Sequence, residues 1–470
     1  MANQLNCLRC GAGMRFMGRE KFQLGQTGWV LGDLPNLFAG AMEIEIYVCP
    51  KCGKLEFFQP GSDKFAGTAD ISAVSTGSQA MQLVTSLLVG LTTGVTVLLG
   101  QKIGEGKPDE AGSVIGSAIC LFVCIALGLT VLLVTLAAPF CRLLQAPEEA
   151  FVPTTQYVRI CSAGTLFIVA FNVIGSVFRG LGDSKMPLIT VAIACVVNIF
   201  GDLLLVAVFH LGAAGAALAT VFAQAISVVL SLLVIARRKL PFTFRKEQLR
   251  FDRPLTAGIL RLGVPIALQD VLVGVSFLVI LAIVNSLGLL QSAGMGIAEK
   301  VCAFVMLLPS AFSQSVSAFV AQNTGAAKPD RAKKALRYSV VTSLCISVFV
   351  FYFNFFHGDL LAGIFANDRA VILEAADYLK AYAIDCLLTS FLFCFVGYFS
   401  GLGKTVFVMA QGILGAFGVR IPVSFFMSRL PNVRLFYIGL ATPCSTVVQV
   451  LLCLAYYAHL GRREKAGPAA

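Results

Sequence analysis

The stretch QKIGEGKPD at residues 101–109 returns as QNTGAAKPD at residues 322–330, with Gln, Gly, Lys, Pro and Asp in the same places. The offset is 221 residues, and it serves two further matches: Tyr157 recurs as Tyr378, and FRGLGD at 178–183 recurs as FSGLGK at 399–404. A single match of this kind arises by chance, whereas several in one register mark an internal repeat. The chain is built from two copies of one unit.

Composition says what the unit is made of. Of the 470 residues 57% are hydrophobic and 13% are charged, roughly half the charge of a soluble globular protein. A spanning helix needs about 20 apolar residues. Such runs occur near 71–100, 111–138, 153–178, 187–209, 211–236, 258–287, 291–321, 336–356, 375–399, 405–428 and 435–459. These eleven runs predict an all-α polytopic membrane protein. The N-terminus has no basic segment followed by an apolar run, so the first span itself is expected to direct insertion.

Charge separates the loops into two sets. Lys102, Lys107, Arg179, Lys185, Lys328, Arg331, Lys333, Lys334, Arg337, Lys404, Arg462, Arg463 and Lys465 lie in alternate loops. So does the long connector 237–261, with Arg237, Arg238, Lys239, Arg245, Lys246, Arg250, Arg253 and Arg261. The opposite loops hold only Arg142, Arg159, Arg369, Lys380, Arg429 and Arg434. The positive-inside rule makes the first set cytoplasmic, and with it the C-terminus, in a plasma (bacterial inner) membrane. The net charge of +11 is thereby explained by orientation, with no nucleic acid expected as a partner; membrane lipid is the surrounding medium, and a monomer is expected.

Both Lys-Pro-Asp turns fall on the same side, so the repeats are parallel, related by an axis along the membrane normal. Equal orientation requires an even number of spans per repeat, yet the first half has five and the second six. Shifting the first span of the second half back by 221 lands on residues 37–65, which contain Glu43, Glu45, Lys51, Lys54, Glu56, Asp63 and Lys64. That window cannot cross a bilayer as a helix. The organisation expected is a module at 1–62, an N-terminal lobe at 64–236, a connector at 237–257, a C-terminal lobe at 258–460 and a basic tail at 461–470.

The first module is read from Cys7, Cys10, Cys49 and Cys52. Two Cys-x-x-Cys pairs, each followed by glycine, are knuckles that place four thiolates around one tetrahedral Zn²⁺. A small β-rich ribbon including 43–48 fills the interval. Four sulfur ligands close the coordination sphere, so the zinc is structural. Two disulfides are the competing reading and would need an oxidising compartment.

Within the spans, ionisable residues are functional by default because each costs several kcal/mol unless paired, protonated or hydrated. Asp202 is the leading case, with Asn198 one turn earlier on the same helix face and Thr220 in the next span. Carboxylate, amide and hydroxyl oxygens suit Na⁺, and the carboxylate alone suits H⁺. Hydrogen bonding between helices is the bland alternative for this trio. Asp270 and Asp385 are the acids of the second half; Asp385, near the start of its span, also has an interfacial reading. Glu299 and Lys300 are adjacent and so diverge by about 100° around a helix. Gln79 and Lys300 are repeat equivalents, expected to face one cavity from opposite sides. The 37 phenylalanines offer apolar and cation-π surface, though most are packing or lipid-facing residues.

Taken together, ADISAVSTGSQ at 69–79, GQKIGEGKP at 100–108, FRGLGD at 178–183, NIFGD at 198–202, and residues 294–300 and 322–328 resemble the MATE family of multidrug and toxic-compound exporters, nearest its DinF-like branch. The resemblance runs from Lys64 to about Arg463. It implies two lobes of six spans, so this chain lacks the first helix. It implies export of amphipathic, often cationic organic compounds in exchange for Na⁺ or H⁺ by alternating access, with Asn198, Asp202 and Thr220 in the N-lobe cation site. That site in the family also takes an aspartate from the first helix. Two other readings compete: a lipid-linked saccharide flippase of the same architecture, which would need a more cationic cavity than Arg420 and Lys300 supply, and a zinc ribbon fused to a truncated, non-transporting chain. No nucleotide loop or catalytic triad suggests an enzyme.

Overall fold

The computed structural model describes residues 13–23, 41–48, 50–51, 55–58, 66–143, 148–237, 246–366, 368–431 and 433–466. Strands β1 (Arg15–Gln23), β2 (Ala41–Val48) and β3 (Leu55–Phe58) form an antiparallel sheet in the order β1-β2-β3. The window that repeat symmetry assigns to a helix is therefore strand at 41–48 and 55–58 and turn at 50–51 where it is described.

The first lobe comprises α1 (Ala66–Gly104), α2 (Pro108–Thr135), the short α3 (Ala137–Leu143), α4 (Glu148–Ala163), α5 (Thr165–Leu181), α6 (Lys185–Asp202) and α7 (Gly212–Arg237). The second comprises α8 (Arg253–Asn285), α9 (Leu289–Gly325), α10 (Pro329–Phe356), the short α11 (Gly358–Gly363), α12 (Arg369–Gly401), α13 (Thr405–Ile413), α14 (Ile421–Met427), α15 (Leu435–Gly439) and α16 (Ala441–Ala466). Among the described residues, ten helices are long and apolar enough to cross a membrane, and α4 with α5, bent by 53°, makes an eleventh. Five fall in the first lobe and six in the second. Such a surface suits lipid: α6 turns Leu188 (70% exposed) and Phe200 (68% exposed) outward, a pattern that water would penalise.

Several boundaries move from those expected. The third span, read as one run, breaks at Gly164 between α4 and α5. The C-lobe starts at Arg253, ahead of 258, because Asp252 accepts a hydrogen bond from the Leu255 amide at 3.2 Å and Pro254 occupies the first turn, both N-terminal signals. Asp385 lies well inside α12, which begins at Arg369, and is 1% exposed. Its interfacial reading is withdrawn.

The repeated turns explain themselves locally. Pro108 and Pro329 stand in the first turns of α2 and α10, with Asp109, Glu110 and Asp330 beside them. Proline has no amide to lose there, and the acids complement the helix dipole. In the first copy Lys102 lies 3.1 Å from Glu105 and 2.7 Å from Glu110, while Lys107 lies 3.2 Å from Glu105. The hydrogen bond from Lys102 holds the Glu105 carboxyl below its ordinary range, and that to Glu105 raises Lys107. These exposed pairs add little stability.

The two lobes meet where α1 packs along α8 and, at the Lys-Pro-Asp end, crosses α9. A Cβ on Gly104 would overlap the Gln322 carbonyl oxygen, and one on Gly325 would overlap that of Gln101. The two copies of the motif therefore touch, and Lys107 and Lys328 stand at one end of the molecule, as parallel repeats require.

Candidate ion and substrate sites

In the N-lobe, α6 carries Asn198 and Asp202 and α7 carries Thr220. The Asn198 amide donates to the Thr220 hydroxyl at 3.4 Å, and that hydroxyl donates to the Ala216 carbonyl at 3.0 Å. Asp202 is the last residue before α6 widens into a π-helical segment, Leu203–Val208. Such a segment holds one extra residue per turn and recurs at functional sites. One Asp202 carboxylate oxygen is shielded from solvent and has no hydrogen-bond partner. Tyr157 of α4, 5% exposed, turns its hydroxyl toward Thr220 and lies within electrostatic range of Asp202. An unsatisfied carboxylate oxygen one helical turn from an amide that is bonded to a hydroxyl brings together oxygen groups able to take a cation or a proton.

The C-lobe holds a different arrangement. A cavity of about 290 Å³ is lined by Asp270 and Gln269 of α8, Asp385 of α12, Arg420 and Thr446, with Phe277 and Tyr382 as aromatic wall; Val89 and Thr93 of α1 face it from the other lobe. Arg420, 6% exposed, ends a second π-helical segment, Leu414–Arg420. Its guanidinium donates to the Ser276 hydroxyl at 3.2 Å and lies 4.5 Å above the Phe277 ring, leaving its Nε without a partner. Asp385 is within hydrogen-bonding reach of Thr446 and in the field of Arg420, yet one of its oxygens is also buried and unpaired. Two acids and the Tyr382 ring can attract an organic cation through charge and cation-π contact, the Arg420 guanidinium offsets part of that negative charge, and each carboxylate can exchange a proton.

The other expected residues lie elsewhere. Gln79 and Lys300 are both exposed, and with Glu299 they are absent from the lining of this cavity. Glu299 sits near Tyr378 and Cys302 instead. Cys7, Cys10, Cys49 and Cys52 lie outside the described residues. Among the described residues no cluster of three or more His, Cys, Asp or Glu is placed to hold a metal ion. Sequence reasoning met Tyr157 only as a repeat marker and Arg420 only as a weak mark against a flippase. The signal for Arg420 was available, an arginine within an apolar span; that for Tyr157 was not, because buried tyrosines are ordinary packing residues.

The sequence profile of the MatE family matches residues 63–204 and 265–426, one stretch in each lobe. The chain belongs to the MatE family. Among curated relatives of this MatE protein is "Probable multidrug resistance protein YoeA" of Bacillus subtilis, 24% identical over 86% of this chain and 88% of that protein. Another is "Multidrug export protein MepA" of Staphylococcus saprophyticus, 26% identical over 73% and 74%. A solved structure of the outward-facing conformation of a multidrug resistance MATE family transporter superposes with a TM-score of 0.80 at 17% identity, covering 85% of this chain and 91% of that one; it shares the fold. MatE proteins are secondary active efflux transporters, and this MatE chain is a multi-span membrane transporter of that kind. The comparisons favour efflux over the flippase and non-transporting readings.

Proposed function

We propose that the chain exports amphipathic, often cationic organic compounds in exchange for Na⁺ or H⁺, with Asp202 as the coupling carboxylate and the cavity at Asp270, Asp385 and Arg420 as the substrate site. The observation that carries this is the shielded, unpartnered Asp202 oxygen beside Asn198, Thr220 and Tyr157. A buried acceptor left unmatched costs stability, and a cation or a proton relieves that cost. Asp202→Asn removes the charge at nearly constant shape. Its gradient-driven efflux of a fluorescent organic cation is expected to fall at least about tenfold, a loss of about 1.4 kcal/mol in driving interaction; unchanged efflux removes Asp202 from the mechanism.

The Lys-Pro-Asp end and the C-terminus face the cytoplasm of a bacterium in this reading, which rests on the basic loops. The chain acts as a monomer, nearest the DinF-like branch, and lacks the family's first helix. Packing supports the last point. In the C-lobe, α8 is the first helix and packs against α13 and the π segment that follows it. The N-lobe counterpart of α13 is α6, and none of the most apolar 18-residue stretch of its span is buried. The face that a first helix would cover is bare. For the N-terminal module, Zn²⁺ on Cys7, Cys10, Cys49 and Cys52 is supported by spacing: residues 49–54 join two antiparallel strands, β2 and β3, where a metal knuckle belongs.

A further inference from the structure

The crossing of α1 and α9 carries more than close packing. In the first lobe the chain leaves α5 through a turn in which the Asp183 amide donates to the Phe178 carbonyl at 2.9 Å and the Gly182 amide donates to the Arg179 carbonyl at 3.0 Å. In the second it leaves α12 through the same turn, with Lys404 donating to Phe399 at 2.8 Å and Gly403 to Ser400 at 2.9 Å. Gly182 and Gly403 have φ of +83° and +75°, the left-handed closure of this helix end. The turn satisfies two of the four terminal carbonyls and leaves two without a backbone donor, among them that of Gly180 in the first lobe and Gly401 in the second.

The Gly180 and Gly401 carbonyls are each met from the opposite lobe. Gln322 of α9 donates its amide to the Gly180 carbonyl at 2.8 Å, and Gln101 of α1 donates to the Gly401 carbonyl at 3.3 Å. Donors and acceptors are repeat equivalents at the common offset of 221 residues. The two bonds therefore form a pseudo-twofold pair at the end that carries Lys107 and Lys328, and they cross the boundary along which the lobes must part if that end opens. Breaking them frees two carbonyls and two amides that water can then satisfy, so the cost is modest and reversible.

We propose that Gln101 and Gln322 are paired gating residues of the transport cycle: a twin latch that holds the Lys-Pro-Asp end shut by capping the helix-end carbonyls of Gly401 and Gly180, and that releases both bonds together when this end opens. The proposal rests on alternation of access between the two ends. It does not require that Asp202 couple the cycle, and its readout does not require transport.

The test is hydrogen–deuterium exchange of the full chain in lipid nanodiscs, comparing wild type with Gln101→Met, Gln322→Met and the double variant. Methionine keeps length and removes the donor. Loss of one hydrogen bond is expected to raise exchange at Gly182, Asp183, Gly403 and Lys404 about fivefold, and loss of both by about twenty-five fold or more. Loops at the opposite end, residues 209–211 and 286–288, are expected to gain protection as the population moves toward the form open at the Lys-Pro-Asp end. A merely structural bond would not protect the far end. Unchanged exchange in the double variant, or faster exchange at both ends alike, overturns the proposal. Should the variants not fold, the unsubstituted chain decides: the two turns must open in one correlated step, and independent opening of 182–183 and 403–404 refutes the latch.

Discussion

A carboxylate at span depth costs several kcal/mol unless it is paired, protonated or wet, and the two lobes meet that cost differently. Asp385 has a guanidinium nearby and a hydroxyl in reach, whereas the amide and hydroxyl near Asp202 donate elsewhere; each acid keeps one buried oxygen without a partner. The first is partly compensated by the protein, and the coupling role proposed for the second rests on the lack of such compensation. Strain is another property of single residues. Ala327 holds a φ of +53° where its repeat equivalent, Gly106, holds +71°, and the left-handed region costs a residue with a Cβ about 1–2 kcal/mol. Ala327→Gly is therefore expected to stabilise the folded chain by up to about 1 kcal/mol after the entropy of a freer unfolded chain is subtracted. Thermal unfolding in detergent should show a higher midpoint, and a lower one would mean that alanine's stiffness outweighs the strain. At this scale Asp202, Asn198, Thr220, Asp270 and Asp385 stand out in the sequence because each is polar inside an apolar run. Asp270 and Asp385 line the cavity, whereas Glu299, Lys300 and Gln79 pass the same filter without reaching it, since polarity in a span reports cost and not direction.

At the scale of elements, hydropathy located all eleven spans, but it could not place their interruptions. The break at Gly164 and the π segments after Asp202 and before Ile421 leave the apolar pattern intact while changing which face each side chain occupies. Periodicity averaged over a span does not register one extra residue in a turn. Caps were more readable: Pro108, Pro329 and Asp252 start their helices by chemistry visible in the sequence. The β-sheet belongs to this scale too. A sheet of three strands stands alone in water only with a hydrophobic face or a packed helix behind it, and the zinc proposed between β2 and β3 would supply stability of another kind. Cys49→Ser is expected to release one Zn²⁺ per chain from the full protein, read by a colorimetric chelator after mild proteolysis, and to leave the helical circular dichroism unchanged. A wild-type chain that carries no zinc at all would refute the ribbon.

For the whole molecule, the repeat read from three short matches is the architecture: the duplicated residues are the ones in contact, Gln101 against the second copy and Gln322 against the first. What the repeat could not convey is asymmetry. Asp202, Asn198 and Thr220 have no acidic, amide or hydroxyl equivalents at the offset of 221, where the second copy has Val423, Val419 and Ala441, so the coupling and substrate roles proposed above fall in different lobes of one fold. In the first lobe α1, α4, α5 and α7 pack on one another. The most direct test reconstitutes the full chain in liposomes and imposes an inward Na⁺ gradient, an inward H⁺ gradient or neither, while following a fluorescent organic cation. Flux that rises with one of the gradients and collapses when an ionophore dissipates it is the predicted result; equal, slow leakage under all three conditions would contradict cation-driven export by this chain.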